Sequence, residues 1–254
     1  MQLFIEFIQS FGFSTTDWII SLICGILIGT AKAGVTGTAL MIVPIMAMVF
    51  GGKASTGIVL PMLIIADLLA VRHYHRHANW TYILKVTPWT LVGIIAALMV
   101  GNAISGELFK RILSVSILCG IVLMVWRDIR KPVAIPDNWW FAMILGLAGG
   151  FATMFANAAG PILSLYLLSM RIPKMVFIST AAWFFLLVNL FKVPLHIYVW
   201  KTITLKTLSF NLVLAPFIIL GVLMGIQIVK WFPEKLYRIL VIVTAVIPVF
   251  FLFQ

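Results

Sequence analysis

The sequence predicts an all-α polytopic membrane protein made of two inverted repeats. Each repeat holds a broken or re-entrant helix pair plus three spanning helices, giving about eight hydrophobic segments and about ten helices. Three observations carry this. Hydrophobic residues make up 63% of the 254 residues and charged ones 10%, with a mean hydropathy of +1.16, too little polar surface to cover a water-soluble globule. A small-residue break interrupts the apolar pattern twice, and the order of segments in the first half returns in the second.

Taken in order, the opening residues MQLFIEFIQSFGFSTTDW lack a basic stretch and contain Glu6 and Asp17, so they read as mature sequence rather than a cleaved leader. The first twelve are apolar enough to add a pass of their own. Trp18 to Ala31 and Thr38 to Phe50 are runs of about 13 to 14 residues, short of the roughly 20 that a spanning helix needs. They read as two half-helices meeting at T-A-K-A-G-V-T-G-T. Crossings follow at Ser55 to Val71, at Trp89 to Gly101 with a start near Leu84, and at Leu108 to Trp126. After the polar linker at 128–138 come Trp139 to Ala156, a break at N-A-A-G, Pro161 to Met170, and crossings near Val176 to Leu195, Leu208 to Val229 and Leu236 to Phe253.

Matched residues strengthen the echo. Ala33 to Leu40 aligns with Ala156 to Leu163, Pro88 and Gly93 with Pro216 and Gly221, and Glu107/Arg111 with Glu234/Arg238. The chain is expected to be a single membrane domain over 1–254, with repeat 1 at about 14–127 and repeat 2 at about 139–254. Basic residues then choose between parallel and inverted repeats. Inversion gathers Arg72, Arg76, Lys85, Arg127, Arg130, Lys131, Arg171, Lys174, Lys230, Lys235 and Arg238 on the cytoplasmic side, and leaves Lys53, Lys110, Arg111, Lys201 and Lys206 outside, with Lys192 near that end. A parallel arrangement erases the bias, so the positive-inside rule favours inversion, with both termini outside. The net charge of +11 therefore marks membrane topology, and no nucleic-acid partner is expected.

The breaks are where chemistry is expected. Irregular backbone at membrane depth persists only where protein buries it or a cavity solvates it. Gly34, Thr36, Gly37 and Thr38 bring backbone N–H groups and hydroxyls to the start of a half-helix, whose dipole adds about half a positive charge. Lys32 adds a full one, at a cost of at least about 2.5 kcal/mol in the middle of a span. The second break offers Asn157 and Gly160 from the opposite side, so only the first wall carries a full charge and should dominate anion affinity. The plainer alternative is a kink, with Lys32 reaching toward an interface. Asp67, inside a spanning segment, aligns with Asn189 when one gap is allowed; Lys192 follows one turn later and His196 four residues after that. Asp67 and Lys192 are the candidates for coupling, Asn189 for substrate binding; Asp67 reads equally as a carboxylate near the cytoplasmic end satisfied by a neighbouring helix or Arg72, and Lys192 more simply as an anchor at a helix end.

Other features read as structure. The His73-x-His75-x-His77 alternation would gather ligands only on a strand, and here it follows a helix. Gly25-x-x-x-Gly29, Gly93-x-x-x-Ala97-x-x-x-Gly101 and Gly221-x-x-x-Gly225 are close-packing faces, one of which leaves room for a homodimer. Cys24 and Cys119 lack redox or metal spacing. No phosphate loop, zinc-protease or nucleophile motif occurs, so the chain is not expected to be an enzyme, and no metal or cofactor is expected.

The spacing G-x-x-x-G-x-x-x-x-G-x-x-G ahead of Pro44, the step Lys53-Ala54-Ser55-Thr56-Gly57, and a weaker counterpart around Gly150 to Gly160 with Ser179-Thr180 resemble the TauE/SafE sulfite-exporter family, also described as the four-plus-four toluene sulfonate uptake superfamily. The resemblance implies a secondary transporter in the cell inner membrane that moves sulfite, an organosulfonate or a related small anion. Two other classes remain: a membrane electron carrier or maturation factor, which would need a cysteine pair, and an ion channel, whose flux would not saturate.

Overall fold

The computed structural model describes residues 11–34, 39–105, 107–108, 111–112, 115, 122, 138–170 and 172–231. Among these every regular element is helical: α1 Thr15–Lys32, α2 Ala39–Phe50, α3 Gly52–Tyr74, α4 Trp80–Ala103, α5 Trp139–Ala156, α6 Gly160–Ser169, α7 Lys174–Pro194 and α8 Leu205–Trp231. A 3-10 turn, His75–His77, follows α3, and a π turn, Leu195–Val199, follows α7. Six of the described helical stretches are long and apolar enough to cross a bilayer: Thr15–Lys32, Gly52–His77, Trp80–Ala103, Trp139–Ala156, Lys174–Val199 and Leu205–Trp231. The expected crossing at Leu236 to Phe253, most of Leu108 to Trp126, the linker and the first ten residues lie outside the described residues.

One expectation is corrected at the start. The first half-helix is not short: α1 has 18 residues, about 27 Å at the α-helical rise, against a hydrocarbon core of about 30 Å. Its extra turn comes from a capping box, in which Asp17 N–H donates to Ser14 Oγ (3.1 Å) while Ser14 N–H donates to Asp17 Oδ2 (2.9 Å). Polar Thr15, Thr16 and Asp17 hid that turn from a reading by hydropathy. The second members of the broken pairs are short, at 12 residues in α2 and 10 in α6.

Both breaks end their helix with a residue at positive φ. Gly34 has φ 127° and Asn157 has φ 49°, and these two positions align in the repeat. Glycine takes such backbone without penalty, and asparagine is among the few side-chain-bearing residues that tolerate it. At Asn157 the N–H turns back to Thr153 O at 3.0 Å, and Ala158 N–H reaches Ala152 O at 3.4 Å, closing α5 in the manner of a left-handed cap.

α3 and α7 cross at the centre and run antiparallel: Asp67 meets Asn189, Ala70 and Val71 pack on Ala182 and Leu186, and Tyr74 O accepts from Ser179 Oγ. Two apolar cores flank this seam. One draws mainly on α1, α2, α3 and α8, with Cys24, Ile28, Met46, Met62, Leu214 and Ile218; the other mainly on α4, α5, α6 and α7, with Val86, Ile94, Ala142, Phe155, Tyr166 and Phe184. Each half thus lends its last described long helix to the other half's core or receives one. The loans are sealed by glycine. A Cβ at Gly93 would overlap Leu147 O and one at Gly150 would overlap Thr90 O where α4 lies along α5; Gly221 against Ile26 O and Gly29 against Ile218 O repeat this for α8 along α1. Both are parallel pairs, and the small-residue faces are spent inside one chain.

Candidate functional site

Each break meets a polar cluster at the α3–α7 crossing, and together they form the polar network of the bundle. Lys32, last residue of α1, places Nζ 2.9 Å from Asp67 Oδ1, with the carboxylate side chain 0% exposed. The same ammonium stands 4.0 Å from the centroid of the Phe185 ring on α7, a cation–π contact that burial strengthens. Asp67 Oδ2 accepts from Asn189 Nδ2 at 2.7 Å. One turn further along α7, Lys192 donates to Asn157 Oδ1 (2.6 Å), Thr153 O (3.1 Å) and Thr153 Oγ1 (3.2 Å). The two sets of contacts start from residues three apart on α7, Asn189 and Lys192.

The sequence-predicted residues come together unevenly. Lys32, Gly34, Asp67, Asn189, Lys192 and Asn157 belong to this network or to the pocket beside it, and Gly160 opens α6. Thr36, Gly37 and Thr38 lie outside the described residues. Two readings change. Lys192 is not an anchor at a helix end: it is 0% exposed and its three contacts all face inward. In consequence the first wall does not hold the only full charge; the second break has Lys192, while the charge of Lys32 is matched by Asp67. A lysine at a broken helix end and a lysine on the helix behind it are equally legible as cations, but hydropathy cannot tell that α7 continues through Pro194 into a π turn that keeps this face inside.

Several contributors carry no sequence signal strong enough to single them out. Thr153 is one turn before the end of α5. Phe185 sits one turn before Asn189 on the face of α7 that covers Lys32. Tyr74 OH donates to Ala33 O over 3.1 Å, satisfying the end of α1 much as Lys192 satisfies the end of α5. His196, carried by the π turn and 0% exposed, has Nδ1 2.8 Å from Thr202 Oγ1 and packs edge-on against Trp200 at 5.1 Å between centroids. π turns commonly re-aim a side chain inward.

Beside Lys32 and Asp67 lies a pocket with about 30 Å³ open to the centre of a water, lined also by Gly34, Phe177, Ala181 and Phe185. Its lining sets the apolar Phe177, Ala181 and Phe185 against the ion pair. On the far side of the crossing a Cβ at Gly57 would overlap Thr202, and Lys53 Nζ lies 4.9 Å from the Trp200 ring centroid. The pocket lies on the Lys32 side of the crossing, and the described contact at Gly57 and Thr202 is tight on the other.

Over residues 21–251 the chain matches the sulfite exporter TauE/SafE family. It belongs to that family. As a TauE/SafE member the protein is a membrane protein of a transporter family. Neither a curated protein nor a solved structure matches the chain.

Proposed function

We propose that the protein is a secondary transporter that exports a small sulfur-containing anion, such as sulfite or an organosulfonate, across the cell inner membrane by alternating access between two inverted repeats. The observation that carries the reading is Lys192: a lysine 0% exposed, surrounded by neutral oxygens of the second break rather than by a carboxylate. A buried cation held this way is incomplete without an anion. The antiparallel crossing of α3 and α7, with the aligned pair Asp67 and Asn189 in contact, supports a twofold axis in the membrane plane. Parallel repeats would bring equivalent helices together in the same direction.

The proposed cycle begins with the open pocket beside Lys32. An arriving anion competes with Asp67 for the lysine and is handed across the crossing to Lys192 and Asn157. Rocking of one core against the other along the α3–α7 seam then exchanges the packed side for the open one. A negative cell interior drives the anion outward by about 2.3 kcal/mol per charge per 100 mV, so export needs no coupled proton. Import would need one, with Asp67 the group to carry it. Liposomes loaded with sulfite and given an imposed potential test this: efflux should follow the potential and fall strongly in Lys32→Ala. No sulfite flux, or flux indifferent to Lys32→Ala, contradicts the reading.

A further inference from the structure

We infer that the central site is matched to one negative charge, so that it takes monovalent oxyanions of the bisulfite or sulfonate type and rejects dianions such as sulfate. This rests on the transport reading above and adds a rule of selection to it. Of the described carboxylates, Asp17 caps α1 and Glu107 pairs with Arg111 at a side chain 77% exposed, which leaves Asp67 inside the bundle. The buried lysines there are Lys32 and Lys192. The Lys32 charge is cancelled by Asp67 at 2.9 Å.

Lys192 is not cancelled. No carboxylate stands against it: Nζ meets three neutral oxygens, one for each hydrogen of the ammonium that the proposal assigns to it. His196 adds no further cation: Nδ1 is engaged with Thr202, but buried Nε2 has no acceptor, whereas an imidazolium would need one at both nitrogens. With Lys192 an ammonium, the buried charges of the crossing sum to one positive among the described residues.

The amide of Asn157 is oriented by the same lysine. With Lys192 an ammonium, Oδ1 faces it, and Nδ2 is left buried without an acceptor. A donor in that condition beside an uncancelled ammonium fits an oxyanion. One negative charge there makes the site neutral; a second would be left without a buried cation to pair with among the described residues. Selection is then by charge number, and Asp67 sets the number. Asp67→Asn leaves two positive charges and should move preference toward dianions, while Asn157→Asp cancels Lys192 and should weaken all anions.

The test uses the full-length protein in liposomes with sulfite as the transported species, equal pH on both sides, and methanesulfonate or sulfate as competitor. In the wild type methanesulfonate should compete at least about tenfold better than sulfate. Under a tenfold sulfite gradient, flux should stop at about 59 mV, the value for one charge moved, rather than about 30 mV for two. In Asp67→Asn the ratio should shift toward sulfate by about tenfold; if that variant does not fold, the wild-type stopping potential decides alone. Equal competition by sulfate, or a stop near 30 mV, overturns the charge rule while leaving anion transport standing. No flux of any anion overturns both.

Discussion

Asp67 and Asn189 meet side chain to side chain where α3 crosses α7, with the amide donating to the carboxylate over 2.7 Å. They are the residues that the alignment of the two halves makes equivalent. A contact between equivalents on antiparallel helices places them where a twofold axis would pass. The two halves differ in chemistry at this contact: one brings an acid that neutralises Lys32, the other an amide that leaves Lys192 unmatched.

Truncating one side of the buried pair should cost far more than removing both. Asp67→Ala strands Lys32 beside Phe185, at about 3–5 kcal/mol, whereas Lys32→Met with Asp67→Leu should recover most of that loss. Thermal unfolding in detergent reads the difference. Equal melting temperatures for the single and double variants would remove the pair from any structural role.

Asn157 combines a backbone duty with a side-chain duty, and the two separate by substitution. Asn157→Gly keeps the left-handed cap and should melt above Asn157→Val, yet it should lose transport because Lys192 loses an acceptor. Asn157→Val forces a β-branched residue to φ 49° and should cost about 1–3 kcal/mol. Comparing melting temperature with sulfite flux in the two variants checks both statements.

Much of this was legible in the sequence, and what was not has physical reasons. The alignment of Gly34 with Asn157 was visible because backbone at positive φ admits few residues, and both breaks used one. Membrane character and the short α2 and α6 followed from hydropathy. The length of α1 did not, because its first turn is polar and held by Ser14 and Asp17. Nor did the burial of Lys192, since an i,i+3 step from Asn189 fixes a face without saying how deep the face lies. Thr153, Phe185 and Thr202 join the site only through packing between helices distant in sequence.

The glycine contacts should be intolerant in proportion to what they face. Gly221→Val would press against the Ile26 backbone and should destabilise by about 1–3 kcal/mol. Gly149→Ala, whose Cβ would stand 3.5 Å from Ile162 Cγ2, should melt within about 0.5 kcal/mol of wild type. Equal losses in both would show that α1 and α8 do not pack through Gly221.

Topology and chemistry can be tested in one background. Replacing Cys24 and Cys119 by Ser should leave sulfite transport in place, because the proposed site uses no thiol; loss of transport with retained folding would favour an electron carrier. In that background, a cysteine at Lys201 should react with an impermeant thiol reagent applied to intact cells, and one at Arg76 should react only after permeabilisation. The reverse pattern would invert the assigned orientation.

The most direct test is counterflow. Liposomes containing the protein and millimolar unlabelled sulfite are diluted into trace labelled sulfite, with the potential clamped at zero. A carrier working between the two breaks should accumulate label transiently, saturate with sulfite, and lose the overshoot in Lys32→Ala and Lys192→Met variants that still fold. Label that only equilibrates without an overshoot, or an overshoot unchanged by both substitutions, would contradict transport through the Lys32–Asp67–Asn189–Lys192 crossing.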